Sequence, residues 1–169
     1  MWYICKDMQA DRFQLFPGFP PESRMWIFQA DRKLTDADKN YLSQTFDRFF
    51  PTWTSHEKPM KAAHALLKDF FLVIALDQTQ AGASGCGIDK LMHVVRSAGE
   101  ALQINFFDRN KVLALVDGIP HLCAVNEADK WIRKETPVYV IHHLQTLGEL
   151  SSICIPAKDS WLANRITLV

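Results

Sequence analysis

The run of seven apolar residues from Phe70 to Leu76 (FFLVIAL) most restricts what this chain can fold into. Seven residues are enough for a β-strand, whereas a helix that crosses a bilayer needs about 20. An apolar run without alternation is typical of a strand that is buried on both faces. The sequence therefore predicts a central strand over 70–76 and no insertion into a membrane.

The elements around this strand predict a mixed fold. Thr35, followed by Asp36 and Asp38, has the pattern of a helix N-cap, and a second amphipathic helix follows the small-residue loop 78–87. Further strands are predicted over 24–30, 60–67 and 111–116. The order β-α-β-β-α-β predicts an α+β, ferredoxin-like (split βαβ) antiparallel sheet with two helices on one face.

The 169 residues suit a single domain with additions at both ends. Residues 1–22 are predicted to form an irregular arm because their Pro-Gly-Phe-Pro-Pro segment disfavours helix and central strand. The core spans 23–118, and 119–169 is a C-terminal α/β extension. In this extension we expect strands over 119–124 and 138–142, a short helix over 126–134 and a final one at Ser160.

Charge and cysteine content narrow the function classes. Lysine plus arginine total 19 and aspartate plus glutamate total 19, and this balance argues against nucleic-acid or anionic-membrane partners. The start of the sequence lacks the pattern of a secretory signal, so we expect a cytoplasmic protein with four free thiols. The spacing of cysteine and histidine predicts no metal site, and no cofactor is predicted.

The loop 82–87 is the main candidate for a ligand site. It follows the apolar strand and opens a helix, where backbone N–H groups and the helix dipole favour an anion. Ser84, Cys86 and Asp89 are the candidate residues, although Asp89 would repel a phosphate. Cys86 could be a nucleophile if His56 or His64 served as its base. The alternatives are a tight turn that needs small residues and a cysteine that acts as a small apolar side chain.

Five further residues could form the walls of this site. Asp108 and Arg109 follow two phenylalanines, and such a pair could orient a carboxylate or phosphate. The alternative is a turn with a surface ion pair. The wall residues are Trp26, Trp53, His56, Asp108 and Arg109. His142 and His143 lie on a predicted strand, where their side chains would point to opposite faces.

Several sequence blocks occur in one order over about residues 20–165: SRMWIFQADR from Ser23, WTSHEKP from Trp53, ASGCGID from Ala83, FDR from Phe107 and PAKDSW from Pro156. In these blocks the chain resembles a family of short bacterial proteins often labelled "ABC transporter ATPase". The label implies nucleotide hydrolysis. The sequence contains no Walker A motif, so no catalytic residue follows from the resemblance.

Three functions are compatible with these features. The first is binding of an unknown small molecule near the Ser84–Asp89 loop, with or without catalysis. The second is a non-catalytic interaction module, most simply a homodimer, because a split βαβ sheet leaves one face that the C-terminal extension or a partner must cover. The third is nucleotide hydrolysis, as the family label suggests.

Overall fold

A computed structural model describes residues 15–55, 57–79 and 81–165. It contains two long helices, α1 (Asp36–Phe49) and α2 (Gly85–Leu102), and nine strands. The strands are β1 (Arg24–Gln29), β2 (Thr54–Ser55), β3 (Lys58–Pro59), β4 (Lys61–Leu67), β5 (Phe71–Asp77), β6 (Lys111–Val116), β7 (Ile119–Ala124), β8 (Pro137–Tyr139) and β9 (Cys154–Pro156). The α+β class with antiparallel sheets is confirmed.

The first sheet is built around β5. Its strand order is β1-β5-β4, and both pairings are antiparallel. Every residue of β5 is buried, which confirms the central strand that the apolar run predicts. The predicted hairpin between β4 and β5 is also present. Its turn residues Lys68 and Asp69 both have positive φ, at 52° and 58°, as a tight hairpin turn with right-handed twist requires.

The second sheet has the order β7-β6-β8-β9, so the ferredoxin-like arrangement is not confirmed. The first sheet does contain three strands in the order that a split βαβ sheet needs. The fourth, β6, instead forms a hairpin with β7 through Asp117 and Gly118, and its ladder with β8 consists of the single register pair Ala114–Val138. Residues 119–169 therefore supply three of the four strands of this sheet.

The two sheets are stacked because β5 is apolar on both sides. Side chains of one parity, such as Leu72 and Ile74, pack against the two helices. Side chains of the other parity, such as Phe71 and Val73, pack against Leu113 and neighbouring residues of the second sheet. Stacking removes this second face from water, which placing β6 beside β1 would not do. The face that the sequence leaves open is thus covered by the chain's own C-terminal strands.

The elements near the C-terminus are shorter than predicted. β8 ends at Tyr139, so His142 and His143 lie beyond the strand and not within it. A 3₁₀ helix over Val125–Lys130 stands where a helix over 126–134 is predicted. Ser160 caps the last short helix, Trp161–Asn164, and accepts a hydrogen bond from the Leu162 N–H. Residues 1–14 of the predicted arm lie outside the described residues.

The first long helix begins at Thr35, the N-cap that the sequence indicates, whereas α2 begins at Gly85, inside the loop predicted over 78–87. The Thr35 hydroxyl accepts a hydrogen bond from the Asp38 N–H, and the Asp38 carboxylate accepts one from the Thr35 N–H, which is a capping box. At α2 the Ser84 hydroxyl accepts a hydrogen bond from the Gly87 N–H. These caps define the first residues of the two helices that pack against the first sheet.

Candidate functional site

A groove of about 680 Å³ runs along the outer edge of β1. One wall is β1 itself, and the others come from the segments 106–109 and 141–146, with Gln78 and Met92 beside them. Its volume lies within the range of pockets that hold small ligands. The groove occupies the side of β1 that a fourth strand of a ferredoxin-like sheet would cover.

Among residues 15–55, 57–79 and 81–165, one short stretch of chain pairs with this edge of β1, and the groove lies beyond it. The Met25 N–H donates to the Gln145 carbonyl at 2.7 Å, and the Leu147 N–H donates to the Ser23 carbonyl at 3.0 Å. These two bonds form an antiparallel bridge between Arg24 and Thr146. Before this bridge the chain bends away from β1, so the rest of the strand edge has no neighbouring strand in the described structure.

The direction of the β1 backbone groups follows from two hydrogen bonds. The Met25 N–H points away from β5, whereas the Ala30 N–H donates to the Phe70 carbonyl on the β5 side. Backbone groups of successive strand residues alternate in direction, so the N–H and C=O of Ile27 point into the groove. No residue of the described chain pairs with them there. The far end is closed by the Gln29 side chain, which donates to the Lys111 carbonyl.

Aromatic rings form the apolar part of the groove. Trp26 is half-buried, and its ring lies 4.7 Å from the Arg24 guanidinium carbon. Phe107 is 40% exposed and packs edge-on against Phe28, with 5.7 Å between ring centroids. A partly exposed ring beside a cation is a surface on which a planar or apolar group can pack.

Two arginines of the groove have no carboxylate partner among the described residues. The guanidinium groups of Arg24 and Arg109 form neither an ion pair nor a side-chain hydrogen bond there, although Glu22 and Asp108 line the same groove. The predicted Asp108–Arg109 ion pair is not formed, and Asp108 accepts the Asn110 N–H at 2.8 Å. By contrast, Arg32 pairs with Asp38 at 2.6 Å. Two cations without partners make this groove a candidate anion site.

His142 lines the same groove, close to Arg109. Burial lowers the pKa of His142, and the positive charge of Arg109 and the neighbouring His143 lower it further. Asp108 lies in the same wall of the groove. His142 and Arg109 also line a second groove of about 800 Å³, together with His143 and Trp161. The predicted opposite orientation of the two histidines assumed a strand over 138–142, and because β8 ends at Tyr139 this alternation does not apply to them.

The structure brings together only some of the residues that the sequence suggested. Trp26, Asp108 and Arg109 line the β1 groove, whereas Ser84, Cys86, Asp89 and Trp53 are not among its lining residues. His56 lies outside the described residues, so its distance from Cys86 is not defined.

The loop that leads into α2, residues 82–87 (the α2 loop), is held by hydrogen bonds within the chain. Trp53 is fully buried, and its indole Nε1–H donates to the Gly87 carbonyl at 2.9 Å. Its ring lies 6.1 Å from that of Trp26, so Trp53 supports the groove from behind. Cys86 is an exposed free thiol and Asp89 is exposed. Their role in ligand binding stays a prediction.

Arg24, Gln29 and His142 are among the polar groove residues that sequence reasoning did not place in a site. Arg24 and Gln29 stand at the two ends of an otherwise apolar strand, and this position is the only local sign of their role. His142 had no comparable sign, because its place depends on how the chain turns after β8.

No family model, curated protein or solved structure matches this chain. Among residues 15–55, 57–79 and 81–165, no group of three or more His, Cys, Asp or Glu side chains is placed to hold a metal ion. No helix within these same ranges has the length and apolar character needed to span a bilayer.

Proposed function

We propose that this protein binds an anionic ligand with an apolar part in the groove beside β1. The observation that carries the proposal is the pair of arginines, Arg24 and Arg109, whose guanidinium groups have no carboxylate partner among the described residues. An anion would give them charge-assisted hydrogen bonds, which are stronger than neutral ones. The apolar part of the ligand would pack against the rings of Trp26 and Phe107.

This proposal moves the small-ligand site from the Ser84–Asp89 loop to the neighbouring groove. The two places adjoin, since Gln78 of the 78–87 segment and Met92 of α2 both line the groove. The arginines distinguish the two places. The loop offers backbone N–H groups, the Ser84 hydroxyl and the Cys86 thiol but no cationic side chain, and the Gly87 N–H already donates to the Ser84 hydroxyl.

The test is a titration monitored by NMR, with benzenesulfonate as the probe and benzenesulfonamide as its neutral match. We expect benzenesulfonate to bind the wild type and Arg109→Ala to weaken binding about tenfold, which corresponds to about 1.4 kcal/mol. Arg48→Ala is the matched control, because Arg48 is an exposed arginine on α1 that bonds only to Gln44. Equal affinity for both probes, or equal loss in both variants, would contradict an anion site.

A homodimer is the second candidate function, and the edge strand β7 favours it. Ile119 is 69% exposed and Trp131 is 48% exposed, with the Trp131 ring 4.3 Å from that of His121. Exposed apolar side chains beside an unpaired strand edge are typical of association surfaces. Light scattering after size exclusion tests this candidate: a dimer that Ile119→Glu converts to a monomer supports it, and a monomer at all concentrations excludes it.

A further inference from the structure

We propose that the ligand of the β1 groove is an extended acidic peptide that adds a strand to β1. This inference rests on the proposed function and names the class of anion. It starts from the backbone, because Ile27 presents an N–H and a C=O to the groove, and no described residue pairs with them. An extended peptide residue placed opposite Ile27 would satisfy both groups, as in an antiparallel ladder.

A nearby segment of the same chain already pairs with this edge of β1. The segment that ends at Thr146 makes one antiparallel bridge to Arg24. It cannot extend that bridge along β1, because the Leu144 N–H turns back to the Ile141 carbonyl and the Gln145 N–H donates to the Glu149 carboxylate. The bridge and the Gln29–Lys111 contact leave an opening of three to four strand residues, roughly 10–13 Å at about 3.3 Å per residue.

The two walls of the groove provide contacts for alternating peptide side chains. Trp26 and Phe28 belong to the helix-side cluster, and Phe107 packs on Phe28. Ile27 and Ile141 belong to the cluster between the sheets. A peptide residue opposite Ile27 would share the side of Ile141, and its two neighbours would share the side of Trp26 and Phe28. Apolar residues therefore suit the middle of the peptide.

The charges of the groove select acidic residues at the peptide ends. Arg24 begins β1, and Arg109 stands at the opposite wall beside His142. Glu22 and Asp108 line the groove as well, so a basic peptide would meet carboxylates, but those carboxylates do not neutralise either arginine through an ion pair. A carboxylate on the peptide would supply the partner that each arginine lacks.

The probe is an acetylated and amidated five-residue peptide with glutamate at both ends and valine, phenylalanine and valine between them. Two variants of this peptide each carry a single N-methyl group. The methyl group is on one central amide in the first variant and on the adjacent amide in the second. Only one edge of a bound strand faces β1, so we expect one methylation to weaken binding at least tenfold and the adjacent one to change it less than threefold. Equal effects of both methylations would overturn strand addition.

Amide hydrogen exchange on the full chain gives a second, independent measurement. We expect the peptide to slow exchange of the Ile27 amide at least tenfold, whereas the Met25 amide, which already donates to Gln145, changes little. Peptide binding that depends on Arg109 but leaves the Ile27 amide unprotected would overturn strand addition and preserve the anion site. Failure of both the peptide and benzenesulfonate to bind would overturn the proposed function itself.

Discussion

The α2 loop and the β1 groove lie side by side, and they differ in how their polar groups are used. In the loop, the Ser84 hydroxyl caps the helix and the Gly87 carbonyl accepts the Trp53 indole N–H. In the groove, Arg24, Arg109 and the Ile27 backbone have no such partners among the described residues. The difference teaches that a glycine-rich turn before a helix can be a packing device, whereas polar groups without a partner in the described structure are the ones available to a ligand.

Removing the Trp53 side chain should have the largest effect and should act on stability. Trp53 is fully buried, contacts the rings of Trp26, Phe49 and Phe50, and donates to Gly87. We expect Trp53→Ala to lower the free energy of unfolding by about 3–5 kcal/mol, measured by urea denaturation. A loss below about 1 kcal/mol would show that the loop is not held by this packing.

Lowering the pH should increase the affinity of the groove for benzenesulfonate, which is a smaller effect than the loss of stability expected for Trp53→Ala. The pKa of His142 is lowered by burial and by the charges of Arg109 and His143, so His142 is neutral near pH 7.5, and a bound anion favours its protonated form. Asp108 and Asp159 line the adjoining walls, and the Trp161 ring contacts His142. We expect benzenesulfonate affinity to rise about threefold from about pH 7.5 to about pH 5.5.

The control for this pH effect is His142→Gln, in which the affinity should be independent of pH over the same range. The free energy of unfolding should instead decrease as the pH is lowered, whereas the ligand affinity increases. Because the folded pKa is lower than the unfolded value, the unfolded chain takes up the proton first, and stability falls as the pH drops below about 6.5. His64, whose pKa is lowered by burial against Phe46 and Phe50, adds to this loss. An affinity in the wild type that does not vary with pH would exclude His142 from the site.

Replacing Cys86 should have the smallest effect. The Cys86 thiol is exposed, and it is the candidate nucleophile of the ligand site that the sequence predicts in the loop. We expect Cys86→Ser to change the free energy of unfolding by less than about 0.5 kcal/mol and to leave benzenesulfonate affinity unchanged. A loss of affinity would instead extend the ligand site from the groove into the loop.

The parts of the fold that were predictable from the sequence are those set by neighbouring residues. The burial of β5 follows from its continuous apolar run, and the bounds of β6 and β7 follow from their apolar patterns and the Asp117–Gly118 turn. The helix start at Thr35 follows from a side chain that caps the first turn, whereas the loop predicted over 78–87 ends earlier, because Ser84 caps a helix that begins at Gly85. Each signal lies within a few residues of its effect, so composition and spacing are sufficient to identify it.

Three of the candidate site residues, Trp26, Asp108 and Arg109, were also suggested by the sequence. Their meeting with Arg24 and His142 could not be predicted, because Arg109 follows α2 and His142 follows β8. Bringing them together depends on the path of two connections that have no local pattern. The loop residues Ser84 and Cys86 drew attention because glycines surround them, and glycines serve tight turns and ligands equally.

The sequence by itself determined one strand that must be covered on both sides and the local starts and turns around it. Only the tertiary structure decided that β6 would leave the edge of β1 and join a second sheet. The physical reason is that a strand edge needs hydrogen-bond partners and a sheet face needs apolar cover, and a single strand cannot supply both. Here the second sheet covers the apolar face of β5, and in the part of the chain that the structure describes no strand pairs with the edge of β1 at Ile27, where the groove lies.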